Sequence, residues 1–126
     1  MMDKHLCVDF DGVIHSYMTP WQGAHIISDP PVEGAFQWLE DMVIIGTYRI
    51  NIYSSRSCSG AGIAAMKDWF RKHGFAYIDY LEFPTQKPAA YLTIDDRAIC
   101  FKGTFPNIQE LDNFKPWFDK YKEVDK

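Results

Sequence analysis

The feature that most constrains the fold is an alternation of short apolar runs with segments of helical periodicity. Apolar runs typical of buried strands occupy residues 6–10, 47–55, 77–83 and 89–95. Between the first two runs, apolar residues recur at helical spacing, at Val32, Ala35, Phe36, Leu39, Met42 and Val43. Pro31 suits the first turn of this helix and Gly46 suits its end. A second helix is predicted over residues 57–74. This order predicts an α/β fold, a single Rossmann-like domain with a mostly parallel sheet and flanking helices.

Composition limits the class of protein. A chain of 126 residues suits one domain, and 47% hydrophobic with 16% aromatic residues is typical of a globular protein. The formal net charge of −4 argues against a broad basic surface for nucleic acid, although a local basic patch is not excluded. The first residues show no apolar run suited to a signal peptide or a membrane span, and the three cysteines form no C-x-x-C pair. We therefore expect a cytoplasmic protein with no membrane contact and no zinc site.

Polar side chains follow three of the predicted strands at the point where each strand ends. These residues are Asp9, Asp11, Ser54, Ser55, Asp95 and Asp96. Lys87 lies on the loop before the last strand. Parallel sheets bind their ligands just beyond the carboxyl ends of the strands. The sequence therefore predicts that these side chains converge on one site.

The residue types in this group indicate a metal-assisted phosphate site. In an extended D-x-D segment the side chains alternate, so Asp9 and Asp11 can face one way while Phe10 packs the other way. Carboxylates without a histidine or cysteine beside them suit a hard cation, and Mg²⁺ is the common choice beside phosphate. A lysine, a serine hydroxyl and backbone N–H groups complete a pocket for a tetrahedral dianion. Each motif alone is weak, because turns and calcium loops also contain D-x-D-G, but the combination is specific.

The ordered motifs resemble those of the haloacid dehalogenase superfamily of aspartate-nucleophile phosphohydrolases. The matching segments are VDFDGVIH, the serine that closes INIYSS, the lysine of TQKPAAY, and LTIDD, and together they span residues 6–96. The resemblance implies a Mg²⁺-dependent phosphomonoester hydrolase that forms an aspartyl-phosphate. An acid at position 11 is typical of the phosphatases and phosphotransferases of this family rather than of its dehalogenases.

The resemblance assigns separate tasks to the residues of the first motif. Asp9 would be the nucleophile that attacks phosphorus in line, and it would also be a metal ligand. Asp11 would be the general acid and then the general base, and its backbone carbonyl would bind Mg²⁺. Gly12 would allow the tight turn behind the two acids, and we group it with the substrate-binding residues.

The other three motifs would bind phosphate and the metal ion. Ser54 would bind a phosphoryl oxygen together with the N–H of Ser55, and Lys87 would balance the charge of the phosphate. Asp96 would bind Mg²⁺ directly, and Asp95 would act through a water molecule. The family permits both patterns, so the choice between Asp95 and Asp96 as direct ligand stays open.

Larger relatives carry a cap domain in one of two places, and neither place holds one here. The gap after the first motif is a flap-sized insertion of about residues 14–31, and residues 56–86 are used by one helix and one short strand. The chain therefore resembles a capless member with an open site. Either a large phosphorylated substrate covers such a site, or another subunit of a homo-oligomer does.

Aromatic and basic residues beside the motifs allow two interpretations each. His15, Tyr17, Trp21 and His25 can stack on a leaving group or can anchor their own loop, and we favour the anchor. Arg56, which we place with the substrate-binding residues, and Arg97 can contact a substrate phosphate or pair with nearby acids. The IDDR segment also resembles the phosphatase half of polynucleotide end-repair enzymes.

Two further functions therefore stand beside the phosphomonoester hydrolase. The first is an end-processing phosphatase for nucleotides or nucleic acid, which the acidic net charge disfavours. The second is a non-catalytic phosphate-binding module whose partner surface is a helical C-terminal stripe of aromatic residues, namely Phe114, Trp117, Phe118 and Tyr121.

Overall fold

The computed structural model describes residues 4–117, and these residues form an α/β fold. The strands are β1 (Lys4–Val8), β2 (Tyr48–Ile52), β3 (Leu81–Glu82) and β4 (Leu92–Ile94). The α-helices are α1 (Ala35–Ile45), α2 (Gly60–Lys72) and α3 (Ile108–Asp112). Within this part of the chain, no helix has both the length and the apolar character needed to cross a membrane.

The strands form one parallel sheet in the order β3-β2-β1-β4, which confirms the predicted parallel arrangement. β1 pairs with β2 from Lys4 opposite Tyr48 to Val8 opposite Ile52. On its other side β1 pairs with β4, where Val8 lies opposite Ile94. Because β1 is central, the residues that follow it have neighbours from both adjacent strands. This position is what brings the first motif beside the second and the fourth.

One apolar core joins the helices to the sheet. Its buried side chains include Leu6 and Val8 of β1, Ile50 and Ile52 of β2, Leu39 of α1, and Met66 and Phe70 of α2. The two long helices therefore pack on the same face of the sheet, as expected for right-handed crossovers that run in one direction from β1 to β3. Phe10, which follows β1, is fully buried in the same core.

Several predicted boundaries are wrong, and local hydrogen bonds explain one of them. The first strand ends at Val8 rather than at residue 10, and the run 77–83 contains a short 3₁₀ turn before the two-residue strand β3. The helix predicted over 57–74 is broken into a 3₁₀ turn, Ser55–Cys58, and α2. The hydroxyl of Ser59 accepts the N–H of Gly62 at 3.0 Å and so starts α2 anew. The predicted end of α1 at Gly46 is confirmed, since Gly46 has φ 74° and its N–H donates to the carbonyl of Met42.

The predicted helical stripe in the tail is wrong where the structure describes it. α3 ends at Asp112, so Phe114 and Trp117 lie beyond the helix and are exposed. Phe118 and Tyr121 lie outside the described residues. The sequence pattern predicts no helix at α3, and the apolar residues of this short helix, Ile108 and Leu111, are exposed rather than packed on the core.

Residues 14–31, which we call the flap, contain neither helix nor strand. The two ends of the flap lie together, because Ser16 N–H donates to the carbonyl of Pro30 and Val32 N–H donates to that of Ile14. Ile14 and His15 are buried at its base. The flap is therefore a closed surface loop that is fixed to the core at its base.

Candidate active site

Two adjoining clefts open at the carboxyl ends of the strands. The first, of about 170 Å³, is the flap cleft, and it is lined by Asp9, Asp11, Tyr17, Trp21, Ser54, Ser55, Asp96 and Arg97. The second, of about 180 Å³, is the lysine cleft, and it is lined by Cys7, Asp9, Tyr53, Ser54, Ser55, Lys87, Thr93 and Asp95. Asp9, Ser54 and Ser55 line both clefts. The structure thus brings together seven of the residues that the sequence predicted for the site, all except Gly12 and Arg56.

Backbone hydrogen bonds continue the sheet one residue past β1 and hold Asp9 at its edge. The N–H of Asp9 donates to the carbonyl of Ile94 at 2.9 Å, and the N–H of Tyr53 donates to that of Val8 at 3.1 Å. Asp9 therefore lies between the ends of β4 and β2. Asp9 and Asp11 face the flap cleft while Phe10 is buried, so the predicted division of this segment is confirmed although the strand ends at Val8.

An acidic triad forms where β1 and β4 end. One carboxylate oxygen from each of Asp9, Asp95 and Asp96 lies within 4.8 Å of the others. Neighbouring and opposite oxygens of an octahedral Mg²⁺ ion are about 3 and about 4 Å apart, so the triad fits such an ion after a small contraction. The backbone fixes two of these side chains, because Asp9 accepts the N–H of Phe10 at 2.9 Å and Asp95 accepts that of Arg97 at 2.8 Å. The carboxylate of Asp11 is not part of the triad.

The electrostatics of the triad favour an added positive charge. Burial, a hydrogen bond with Asp96 and the charges of Asp95 and Asp96 raise the pKa of Asp9 to about 8. Burial also raises the pKa of Asp96. Two carboxylates this close hold a shared proton near neutral pH unless a cation replaces it. The triad therefore favours a shared proton in this range of pH, and a cation could take the place of that proton.

Asp11 has a different set of neighbours. Its Oδ2 accepts Nε of Arg56 at 2.9 Å, and its Oδ1 accepts Nη2 of Arg56 at 3.1 Å and lies 2.8 Å from Nδ1 of His15. Nε2 of His15 accepts the N–H of Asp29 at 3.1 Å, so the ring proton lies on Nδ1 and is donated to Asp11. Asp11 is thus held by two donors, a guanidinium and an imidazole.

Arg56 joins this acid to the flap. Its Nη1 donates to three flap carbonyls, those of Gly23, Ala24 and Ile26, at 2.9–3.1 Å. The side chain is only 1% exposed and lines neither cleft. Of the two interpretations of Arg56, the structure shows the pairing with a nearby acid, and its contact with substrate stays a prediction. The sequence around Arg56, Ser-Arg-Ser after a strand, does not indicate that this side chain is buried. The only signal is the D-x-D segment, whose two acids require a positive charge nearby.

The smaller residues of the predicted site have distinct placements. Ser54 is buried at the start of the 3₁₀ turn, where its hydroxyl accepts the N–H of Arg56 at 3.1 Å. Ser55 and Lys87 are exposed at the cleft walls. Gly12 is buried with φ 85°, which agrees with the predicted tight turn, but it lines neither cleft. The indole N–H of Trp117 donates to the Gly12 carbonyl at 2.6 Å, a contact that sequence reasoning missed.

Comparison with protein families, with curated proteins and with solved structures finds no match for this chain. The function is therefore inferred from the residues themselves. The observations that bear on it are the acidic triad, the serine turn after β2, the lysine on the loop before β4, and the separate environment of Asp11.

Proposed function

We propose that this chain is a Mg²⁺-dependent phosphomonoester hydrolase of the haloacid dehalogenase type, built as a single Rossmann-like domain without a cap. The observation that supports it most is the position of Asp9. This one carboxylate belongs to the acidic triad and lines both clefts together with Ser54 and Ser55. A nucleophile for phosphoryl transfer needs a cation beside it and hydrogen-bond donors close by for the phosphoryl oxygens.

In the first step a carboxylate oxygen of Asp9 attacks phosphorus, and the bond from phosphorus to the leaving oxygen breaks. The hydroxyl of Ser54, the N–H of Ser55 and the ammonium of Lys87 donate to the phosphoryl oxygens. Mg²⁺ bound by Asp9, Asp95 and Asp96 would neutralise their charge and polarise the phosphoryl group. Water then attacks the aspartyl-phosphate, which releases phosphate and restores Asp9.

Asp11 moves the proton in both steps. It gives a proton to the leaving oxygen and later takes one from the attacking water. Among the described residues, Oδ1 of Asp11 accepts from His15 and from two nitrogens of Arg56, whereas Oδ2 accepts Nε of Arg56. Oδ2 is therefore the oxygen with fewer hydrogen bonds within the described part of the protein. Arg56 and His15 act as positioning residues for this carboxyl group.

The test is release of phosphate from an aryl phosphate in the presence of Mg²⁺. We expect Asp9→Asn to lower kcat by about 10³-fold or more, since it removes the nucleophile. Asp68→Asn is the matched control, because Asp68 is an exposed acid on α2 outside both clefts. Equal rates for the wild type and Asp9→Asn contradict the mechanism. Binding of Mg²⁺ and phosphate without turnover of any phosphoester would instead favour the phosphate-binding module.

A further inference from the structure

The acid and the lysine of the candidate site line different clefts. Asp11 lines the flap cleft and not the lysine cleft, whereas Lys87 lines the lysine cleft and not the flap cleft. Asp9, Ser54 and Ser55 line both. A phosphoryl group bound to these shared residues thus has the lysine on one side and the acid on the other. The leaving oxygen must face Asp11 to receive its proton, so the leaving group occupies the flap cleft.

The flap cleft has an aromatic wall. Trp21 and Tyr17 line it, and Trp21 is 47% exposed. The guanidinium of Arg56 lies over the indole, 4.5 Å from its centroid, and covers one ring face. Because Arg56 is itself fixed by Asp11 and by three flap carbonyls, the indole rests on a rigid support. Because Arg56 covers one face, a ligand ring can stack only on the opposite face of the indole.

Tyr17 provides a second sign that this wall is shaped for a ligand. Among the described residues other than glycine, Tyr17 alone has a positive φ, at 54°. This conformation costs a tyrosine free energy, and residues strained in this way are enriched at active sites and ligand sites. It places Tyr17 on the cleft wall, beside the ring of His15 at a centroid distance of 6.0 Å.

We propose that the flap cleft binds the base of a nucleoside, so that the substrate of this site is a nucleoside monophosphate with its base stacked on Trp21. This inference depends on the proposed phosphatase function. A planar base can stack its whole face on such an aromatic wall, and base–aromatic stacking of this kind stabilises binding. Arg97 adds a cation to the same cleft. The net charge of −4 favours a free nucleotide over a nucleic acid strand.

The experiment compares adenosine 5′-monophosphate with ribose 5-phosphate, which share the reacting ester and differ in the base. In the wild type we expect kcat/KM to be roughly tenfold higher for the nucleotide. Trp21→Ala and Trp21→Leu should bring this ratio close to one, and Trp21→Phe should keep most of it. Leucine retains apolar bulk that can anchor the flap but does not stack, so it separates the two interpretations of this residue. Phe105→Ala, an exposed aromatic outside both clefts, should leave the ratio unchanged.

Binding is measured separately by calorimetry on Asp9→Asn with Mg²⁺, which cannot turn the ligands over. Tighter binding of the nucleotide than of ribose 5-phosphate, lost in Asp9→Asn/Trp21→Leu, supports the proposal even if hydrolysis is absent and the proposed function fails. Equal kcat/KM and equal binding for the two ligands overturn the nucleoside site while the phosphatase function stands. A 5′-phosphorylated oligonucleotide preferred over the free nucleotide by tenfold or more overturns it in favour of a nucleic acid end.

Discussion

Nε of Arg56 lies 2.9 Å from Oδ2 of Asp11, in an ion pair whose guanidinium is almost entirely buried. The same guanidinium donates to the flap carbonyls of Gly23, Ala24 and Ile26. One side chain on the turn after β2 therefore sets the orientation of an acid on the loop after β1 and the position of the flap. A change at Arg56 should affect stability and catalysis together.

Removal of this arginine should strongly destabilise the protein. Arg56→Ala leaves Asp11 without its ion-pair partner and leaves three carbonyls without their donor, so we expect a loss of about 3–5 kcal/mol in the free energy of unfolding. Arg56→Lys should recover part of this loss, because lysine keeps the charge but not the planar set of donors. Urea denaturation measures both effects. Arg71→Ala is the control, because Arg71 is exposed and pairs with the exposed Asp68, at 3.4 Å. Equal losses of stability in the two alanine variants would contradict the prediction.

The first turn of α2 packs directly on the backbone of Arg56, and this contact requires glycine. A Cβ atom at Gly62 would overlap the carbonyl oxygen of Arg56, whereas a Cβ at Gly60 would meet nothing within 4 Å. We therefore expect Gly62→Ala to cost about 1–3 kcal/mol and to lower kcat through Arg56 and Asp11. Gly60→Ala should be neutral or stabilise by about 0.5–1 kcal/mol. Thermal and urea unfolding of the pair check this, and a Gly62→Ala protein as stable and active as Gly60→Ala would contradict it.

The acidic triad should make stability depend on pH in the absence of metal. The pKa of Asp9 is raised from 3.8 to about 8, so between these values the folded protein binds more protons than the unfolded chain. The contribution of Asp9 is therefore full below pH 3.8, and it is lost as pH rises to about 8, by at most about 1.4 kcal/mol per pH unit. In EDTA, Asp9→Asn should become progressively more stable than the wild type across this window.

Urea denaturation in EDTA between pH 5 and pH 8.5 measures this difference, with Asp68→Asn as the control. Added Mg²⁺ should raise the midpoint of thermal unfolding of the wild type more at pH 8 than at pH 6, because the ion displaces the shared proton. In Asp9→Asn the effect of Mg²⁺ should no longer depend on pH in this way, because the variant holds no shared proton. A constant difference between Asp9→Asn and the wild type at all pH values would show that Asp9 does not hold a proton in the folded state.

The convergence of the site was predictable from the sequence because it depends on strand ends. Asp9, Ser54 and Asp96 each follow an apolar run, and parallel strands bring such positions to one edge of the sheet. Lys87 was expected at the same edge because it lies on the loop just before the last apolar run. The same argument gave the burial of Phe10 opposite the two acids, since it requires only that neighbouring side chains alternate.

The contacts of Arg56 were not predictable in the same way. Arg56 and Asp11 are far apart in the sequence, and no local periodicity links them, so either pairing or substrate contact was consistent with the pattern. In the tail the local pattern was misleading instead. The spacing of Phe114 and Trp117 predicts a helix, but both residues lie beyond the end of α3 at Asp112 and are not helical. Helical spacing alone does not form a helix when the apolar side has no core to cover.

The central position of β1 has a consequence for the order in which this protein becomes functional. During synthesis β1, α1 and β2 emerge first, and β1 and β2 can pair at once. Asp9 is then present without Asp95 and Asp96, which follow β4, the last strand in the described part of the chain. The nascent chain therefore lacks the complete acidic triad until β4 joins the free edge of β1, so the proposed Mg²⁺ ion would stabilise only the finished sheet.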